Sequence, residues 1–224
     1  VIQPVRASLA RGRFLLTAEA LETAATPSSR ALILNSPWNP VGTVLAETEL
    51  RAIAEFVIRR DLLLISDEIY ETIVYDGHRH VSPAALSPEL RARTVLVNSL
   101  SKTYAMTGWR VGYCAAPAAF ISAMFLVLQQ ASRGPATFVQ DAAAVALTAA
   151  QDCVQEMQRQ YAKRRSQVLA ALDNLPHARA LAPDGGFFVM VDVRDTGIPS
   201  NEIRRRLLRD HGVAVVHGSA YGPG

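Results

Sequence analysis

Three short apolar runs punctuate the first hundred residues, at 31–34 (ALIL), 62–65 (LLLI) and 94–97 (TVLV). None alternates apolar with polar, and each is bounded by polar or turn-forming residues, the pattern of strands buried on both faces of a parallel sheet. Their starts lie about 31 residues apart, close to the length of one strand–crossover–strand unit. Between the first two, Leu50, Ile53, Ala54, Val57 and Ile58 fall on one helical stripe, which predicts a helix over 47–60. The second crossover is less regular, broken by Pro83 and Pro88.

A further short apolar segment at 112–116 precedes an Ala- and Gln-rich stretch that reads as helical through residue 150. Over 151–172, Val154, Met157, Tyr161, Val168 and Leu172 recur at helical spacing, with Lys163, Arg164 and Arg165 on the wet side. This long amphipathic helix ends at Asn174-Leu175-Pro176. Gly185 and Gly186 read as a turn feeding a strand at 187–191, residues 201–209 as a short Arg-rich helix, and 213–216 (VAVV) as a last strand. The pattern predicts an α/β sheet covered by helices, and its change near residue 165 divides the chain into 1–165 and 166–224.

Composition narrows the functional classes. Half of the 224 residues are hydrophobic and 19% are charged, enough for a buried core and unlike a disordered chain. The net charge of +3 is small and its arginines are scattered, so nucleic-acid binding is not expected; the densest run, Arg204-Arg205-Arg206 with Arg209, reads as a solvated helix face. The longest apolar stretch, 118–128, is interrupted by Ser122 and falls short of the ~20 residues that span a bilayer, so no membrane association is expected. Arg6, Arg11 and Arg13 break up the first sixteen residues, which do not read as a secretory signal. Cys114 and Cys153 are isolated from one another, with no CxxC or Cys/His cluster, which fits a reducing compartment and a cytoplasmic location. His78 and His80 form an HxH with no third ligand nearby in sequence, and His177, His211 and His217 lack a Ser/Asp or Cys pattern. Neither a metal site nor a hydrolytic triad is expected.

Of the 23 basic residues, 21 are arginine, which leaves Lys102 and Lys163 as the two candidates for any chemistry that needs an amine. The residues just beyond each apolar run decide between them. After the first comes Asn39, after the second Asp67, after the third Ser99 and Lys102. In an open α/β sheet ligands sit beyond the carboxyl ends of the strands, so these residues are expected to converge on one crevice. A lysine held near apolar walls can attack a carbonyl to form a Schiff base, although a loop lysine read alone is more simply a surface charge. Lys163 lies in a helical charge run. Asp67 suits a protonated ring nitrogen such as that of pyridoxal phosphate. Read locally it is also a helix N-cap, or the acid of a Walker B strand for which the chain has no GxxxxGK[ST] loop. Arg110 and Ser99 can bind a phosphate, with an ordinary ion pair as the alternative for Arg110. Tyr70, one helical turn beyond Asp67, either reaches the same crevice or packs in the core.

Residues 35–42 (NSPWNPVG), 66–70 (SDEIY) and 98–113 (NSLSKTYAMTGWRVGY), in this order and spacing, resemble successive signatures of the class I/II aminotransferases, pyridoxal-phosphate enzymes of fold type I. The resemblance continues through 183–188 (PDGGFF) to 218–224 (GSAYGPG) and covers essentially the whole chain; the stretches 75–83 and 183–193 look most like arginine–pyruvate and aspartate-aminotransferase-like members. It implies a three-layer sandwich with a mostly parallel sheet as the cofactor-binding domain, here 1–165, followed by part of a smaller α+β C-terminal domain at 166–224. It further implies that Lys102 holds pyridoxal 5′-phosphate as a Schiff base and then shuttles the substrate proton. Asp67 would pair with the ring nitrogen, Asn39 and Tyr70 with the phenolic oxygen, and Ser99 and Arg110 with the phosphate. Amino-acid and 2-oxo-acid substrates exchanging an amino group by a ping-pong mechanism, and a homodimer, are implied as well.

Val41 stands where the family usually has threonine. The family's small-residue phosphate-binding turn and ring-stacking aromatic have no counterpart before Val1, and its arginine for the substrate carboxylate would lie shortly after Gly224. The chain therefore resembles the middle of an aminotransferase, and by itself is expected to retain cofactor weakly and to transaminate negligibly. A pyridoxal-phosphate β-lyase on the same scaffold, and the aminotransferase-like effector domain of a transcription regulator, are the alternatives.

Overall fold

The computed structural model describes residues 1–222; Pro223 and Gly224, the end of the 218–224 match, lie outside the described residues. In chain order a ribbon of β1 (Ser8–Ala10) and β2 (Arg13–Leu15) leads through helix α1 (Ala18–Ala24) to strand β3 (Ala31–Asn35) and helix α2 (Glu47–Arg59). Strand β4 (Leu63–Asp67), one-turn helix α3 (Pro88–Arg91), strand β5 (Thr94–Ser99), one-turn helix α4 (Leu100–Thr103) and strand β6 (Gly112–Ala115) come next. Helices α5 (Ala118–Ala131), α6 (Thr137–Thr148) and α7 (Asp152–Leu172) precede a second ribbon, β7 (Arg179–Leu181) with β8 (Met190–Asp192), and helix α8 (Ser200–His211).

The central sheet runs β3-β4-β5-β6, with the first three strands parallel and β6 antiparallel to β5. The α/β class and the mostly parallel sheet are as the apolar runs predict. Register aligns Asn35 with Asp67 and Asp67 with Val97, so the carboxyl ends of β3, β4 and β5 open on one edge. Helix α2 forms where its stripe predicts. Glu47 and Glu49 occupy its positive N-terminal turn, and the Glu49 side chain accepts the Ala46 amide at 2.7 Å, since alanine itself offers no cap acceptor. Its buried face, Leu50, Ile53, Phe56 and Val57, packs with Leu21 of α1, Leu32 and Leu34 of β3, Leu64 of β4 and Leu90 of α3 into one apolar core.

Because α1, α2 and α3 all join that one core, β3 and β4 alternate between buried and more open positions. Ile33, between buried Leu32 and Leu34, is 68% exposed, where the unbroken apolar run predicts burial on both faces. The single helical stretch expected up to residue 150 is two helices, parted where Gly134 takes a left-handed φ of 80° and Pro135 has no amide to donate. Residues 213–216 form no strand: Val213, Val215 and Val216 are exposed, and β propensity without a neighbouring ladder leaves backbone groups unpaired. The strand expected at 187–191 is confined to Met190–Asp192, because Gly185 and Gly186 spend their amides on Gly42 and Ile73. Residue 165, where the sequence pattern changes, lies inside α7. There Arg165 donates to the Pro183 carbonyl at 2.9 Å and to Asp76 at 2.7 Å, joining the segments on either side. No helix of the described residues is long and apolar enough to cross a membrane.

Arg13 pins the first ribbon to the rest. It grips Glu49 through two hydrogen bonds of 2.7 and 2.9 Å and reaches Asp184 at 3.0 Å and the Val44 carbonyl at 2.6 Å. Burial alone would raise the Glu49 carboxyl; the Arg13 hydrogen bonds, the Ala46 amide and the Arg13 charge outweigh it and hold the group below its ordinary 4.5. A depressed carboxyl contributes stability above its unfolded value and loses it as pH falls through the folded one. Arg13→Leu is therefore expected to cost roughly 1–3 kcal/mol at pH 7, and the gap from the unaltered protein to close below about 4.5. Urea midpoints across that range check this; a gap that stays constant into acid rules it out.

Candidate active site

The crevice is assembled from the three strand ends and from one segment far away in sequence. At the end of β3 the chain turns sharply over 36–43: Gly42 donates to the Trp38 carbonyl at 2.7 Å and Trp38 to that of Thr43 at 2.8 Å. Asn35 couples this turn to β4, its side chain donating to the Asp67 carbonyl at 3.0 Å and accepting the Asn39 amide at 2.7 Å. Gly42 has φ +73°, and a Cβ there would lie 2.3 Å from that of Pro183. Gly42→Ala must therefore push away the 183–188 segment. A loss of about 2–4 kcal/mol is expected, read from urea unfolding by Trp38 and Trp109 fluorescence; a loss under about 0.5 kcal/mol would show that the two segments do not depend on each other.

Asp67 is half-buried at the end of β4, where its Oδ1 accepts the Ile69 amide at 3.3 Å. Burial, followed by the neighbouring Glu68 charge, raises its pKa against the opposing Ile69 amide. The acid thus sits where a cation beside it would be welcome. Tyr70 is 2% exposed; burial, with Asp67 adding to it, pushes its phenol up to about 12, while the Asn39 side chain pulls the other way. At neutral pH it is a hydrogen-bond donor.

Beyond β5, Ser99 caps α4, its hydroxyl accepting the Ser101 amide at 3.1 Å, lying 2.9 Å from the Ser101 hydroxyl and donating to the Val111 carbonyl at 3.1 Å. That last bond brings the chain next to Arg110 against the Ser99 turn. The approach needs Gly112, where a Cβ would sit 2.6 Å from the Asn98 carbonyl. Arg110 is exposed in a left-handed conformation, donates to the Thr107 carbonyl at 3.1 Å and forms no ion pair among the described residues.

Lys102, on α4, is partly buried, with Nζ 5.9 Å from the Tyr70 ring centre and 5.4 Å from that of Phe187. Among the described residues no carboxylate lies within ion-pair distance of it. Lys163, by contrast, is exposed on α7. The structure thus draws Asn39, Asp67, Tyr70 and Lys102 to one edge, with Ser99 and the Arg110 turn beside them. This is an amine, an acid, a phenolic donor, and hydroxyls with a guanidinium suited to an anion.

Sequence reasoning missed the far wall. Phe187 and Phe188 meet Tyr70 edge-on at 5.4 and 5.2 Å, and Tyr161 of α7 stacks on Phe187 at 5.5 Å. The segment is fixed by Gly185 donating to the Gly42 carbonyl, Gly186 donating to that of Ile73, and the Tyr75 hydroxyl donating to the Gly186 carbonyl at 2.6 Å. Only the Gly-Gly pair at 185–186 signalled so close an approach. Thr72 and Thr103, 3.1 Å apart through their hydroxyls, also tie the Tyr70 segment to α4. The HxH pair diverges: His78 Nε2 lies 3.4 Å from Asp184, whereas His80 Nε2 meets buried Glu68 at 2.7 Å. Ligand-type atoms of Glu68, Glu71 and His80 gather within 4.8 Å, a proximity invisible in sequence spacing. These groups already bond to protein: Glu68 to Ser66, Ser82 and His80, and Glu71 to Asn98.

The profile of the family described as aminotransferase class I and II matches residues 2–223. The chain is 44% identical over 210 residues to an arginine–pyruvate transaminase of Pseudomonas aeruginosa, covering 94% of this chain and 53% of that protein. It superimposes on an aromatic aminotransferase from Pyrococcus horikoshii with a TM-score of 0.90 at 42% identity, over 94% of this chain and 56% of that one. With an aspartate aminotransferase from Rhizobium meliloti the TM-score is 0.90 at 39% identity, over 95% and 56%. The chain thus spans about half the length of the relatives it matches.

Proposed function

The chain belongs to the class I and II aminotransferases, and from that premise we propose that it carries most of the cofactor site of a pyridoxal-phosphate-dependent transaminase. The observation that carries the reading is the Lys102 amine, free of any carboxylate among the described residues and set against Tyr70 and Phe187 at the strand edge that also holds Asp67. The donor set fits the cofactor. Asp67 is an acid that meets no cation among the described residues, Tyr70 and Asn39 supply donors to a phenolic oxygen, and Ser99 with Arg110 offers a hydroxyl and a fork of N–H groups to a phosphate.

Pyridoxal 5′-phosphate, when bound, supplies an aldehyde that exchanges amines and a ring that withdraws electrons. In this reading Lys102 would be the amine that holds it, and the base that takes the substrate α-proton and returns it. Asp67 would pair with the protonated ring nitrogen, and its partial burial would strengthen that pairing. Tyr70 and Asn39 orient the ring. Phe187, stacked on Tyr161, lines the side of the crevice next to the amine. Substrates are an α-amino acid and a 2-oxo acid, and the relatives' names point first to arginine or aspartate as donor and pyruvate as acceptor. The proposal includes a homodimer, as the family resemblance implies. It includes a cytoplasmic location, to which the two exposed free cysteines are suited.

The test is to supply the complete gene product with pyridoxal phosphate, an amino acid and pyruvate, and to follow both products. Stoichiometric formation of alanine and the donor's 2-oxo acid is expected. Release of ammonia and pyruvate from a β-substituted donor, without amino transfer, would replace the transaminase with a β-lyase.

A further inference from the structure

The HxH loop takes no part in the site as described, and Glu68 is the most deeply buried acid in the chain. We propose that His80 and Glu68 form a positioning pair for Asp67, holding a fixed negative charge directly behind the carboxylate that faces the crevice. This rests on the cofactor reading above.

The geometry is closed on every side. Glu68 is 1% exposed and its carboxylate receives three donors: Ser66 Oγ at 2.9 Å and Ser82 Oγ at 2.8 Å on one oxygen, His80 Nε2 at 2.7 Å on the other. The His80 side chain is 9% exposed; its Nε2 faces the carboxylate and is the donor to it, and its Nδ1 has no partner among the described residues. A buried carboxylate is costly unless its lone pairs are met, and here β4 supplies one donor and the 80–82 loop two. The pair therefore staples that loop under the strand end. Glu68 also donates its amide to the Val97 carbonyl at 3.0 Å, locking the peptide that follows Asp67 into the β5 ladder.

Asp67 and Glu68 are adjacent, with side chains on opposite sides of the strand end. Fixing Glu68 fixes the direction in which Asp67 points, and the Glu68 charge adds to the pull of Asp67 on a proton. The other titratable groups facing the pair are Glu71, held by Asn98 Nδ2 at 2.7 Å, and Tyr113 of β6, whose phenol is raised by burial first and then by Glu71 and Glu68 among others. Tyr70 faces Asp67 from the crevice side. A metal ion is a poorer reading of the cluster, because His80 Nε2 and both Glu68 oxygens are already spent on one another and on serine hydroxyls.

The experiment uses the complete gene product with pyridoxal phosphate and compares Glu68→Gln, His80→Phe, His80→Gln and Ser82→Ala. Three readouts are taken: cofactor dissociation constant, pH midpoint of the bound cofactor's absorbance change, and melting temperature. Removing the charge, or one of the donors that hold the Glu68 carboxylate in place, weakens the hold on a cation in the crevice. Glu68→Gln and His80→Phe are expected to lower the midpoint by about half a unit or more and to weaken cofactor binding about tenfold. Ser82→Ala shifts both readouts the same way, and His80→Gln, which keeps a donor, recovers at least half of the His80→Phe loss. Phe56→Ala, in the core under α2, is the control for simple destabilisation. Midpoints that stay put in Glu68→Gln and His80→Phe, or that move as far in Phe56→Ala, overturn the proposal. If Glu68→Gln does not fold, His80→Phe and Ser82→Ala decide by the same criterion. No cofactor uptake by the unaltered protein takes the functional reading down with it, whereas uptake with unmoved midpoints removes this inference alone.

Discussion

Lys102→Ala in the complete gene product is expected to abolish attachment of pyridoxal phosphate and to cut transamination by about 10⁴-fold or more. A positioned base alone contributes about 10² to 10⁴, and here the same amine both attaches the cofactor and carries the proton. The chain has one other lysine, Lys163, which is exposed on α7 among arginines and has no part in the strand-edge cluster. Lys163→Ala is therefore expected to leave both properties untouched. Because Lys102 forms no ion pair among the described residues, the alanine variant should fold with a stability change under about 1 kcal/mol. Cofactor absorbance and steady-state rates on the two variants check this, and reversal of the pattern would overturn the assignment.

The second large effect is expected at Asp67. Asp67→Asn keeps the size of the side chain and an oxygen for the Ile69 amide, and removes only the charge. Cofactor stays attached through Lys102, yet the ring nitrogen loses the partner that keeps it protonated. The group is half-buried, with its proton affinity raised by desolvation first and by Glu68 next, so its pairing with a cation is screened less than a surface pair. A fall in kcat/KM on the order of 10² to 10³ is expected, the usual cost of removing one preorganised electrostatic contact, and Asp67→Glu should recover part of it. Unchanged kcat/KM in the asparagine variant would mean that Asp67 faces no cation during turnover.

Much of the sheet is legible in the sequence because its signal is local. Leu32, Leu34, Leu64 and Val95 lie in short apolar runs whose spacing leaves room for one crossover each, and the strand-end rule then brings Asn39, Asp67, Ser99 and Lys102 to one edge. What is not legible depends on who covers whom. An apolar run does not say that α1, α2 and α3 share one face and leave Ile33 open. The valines at 213–216 carry strand propensity but acquire no ladder.

The Phe187 wall joins Tyr70 across more than a hundred residues through glycine backbones that have no side-chain pattern to read. His80 read alone suggested at most a weak metal ligand. Its meaning comes from Glu68, which sits so close after Asp67 that the eye takes both as one acidic pair, although the strand points them to different environments.

The central claim is that Lys102 is the amine that engages the cofactor. The direct measurement is to incubate the complete gene product with pyridoxal phosphate, reduce with borohydride, digest, and locate the added mass by peptide sequencing. A single stoichiometric adduct is expected on Lys102, in the peptide from Thr94 to Arg110, and lost in Lys102→Ala; an adduct on Lys163 or any other lysine, or none in a protein that transaminates, would contradict the assignment.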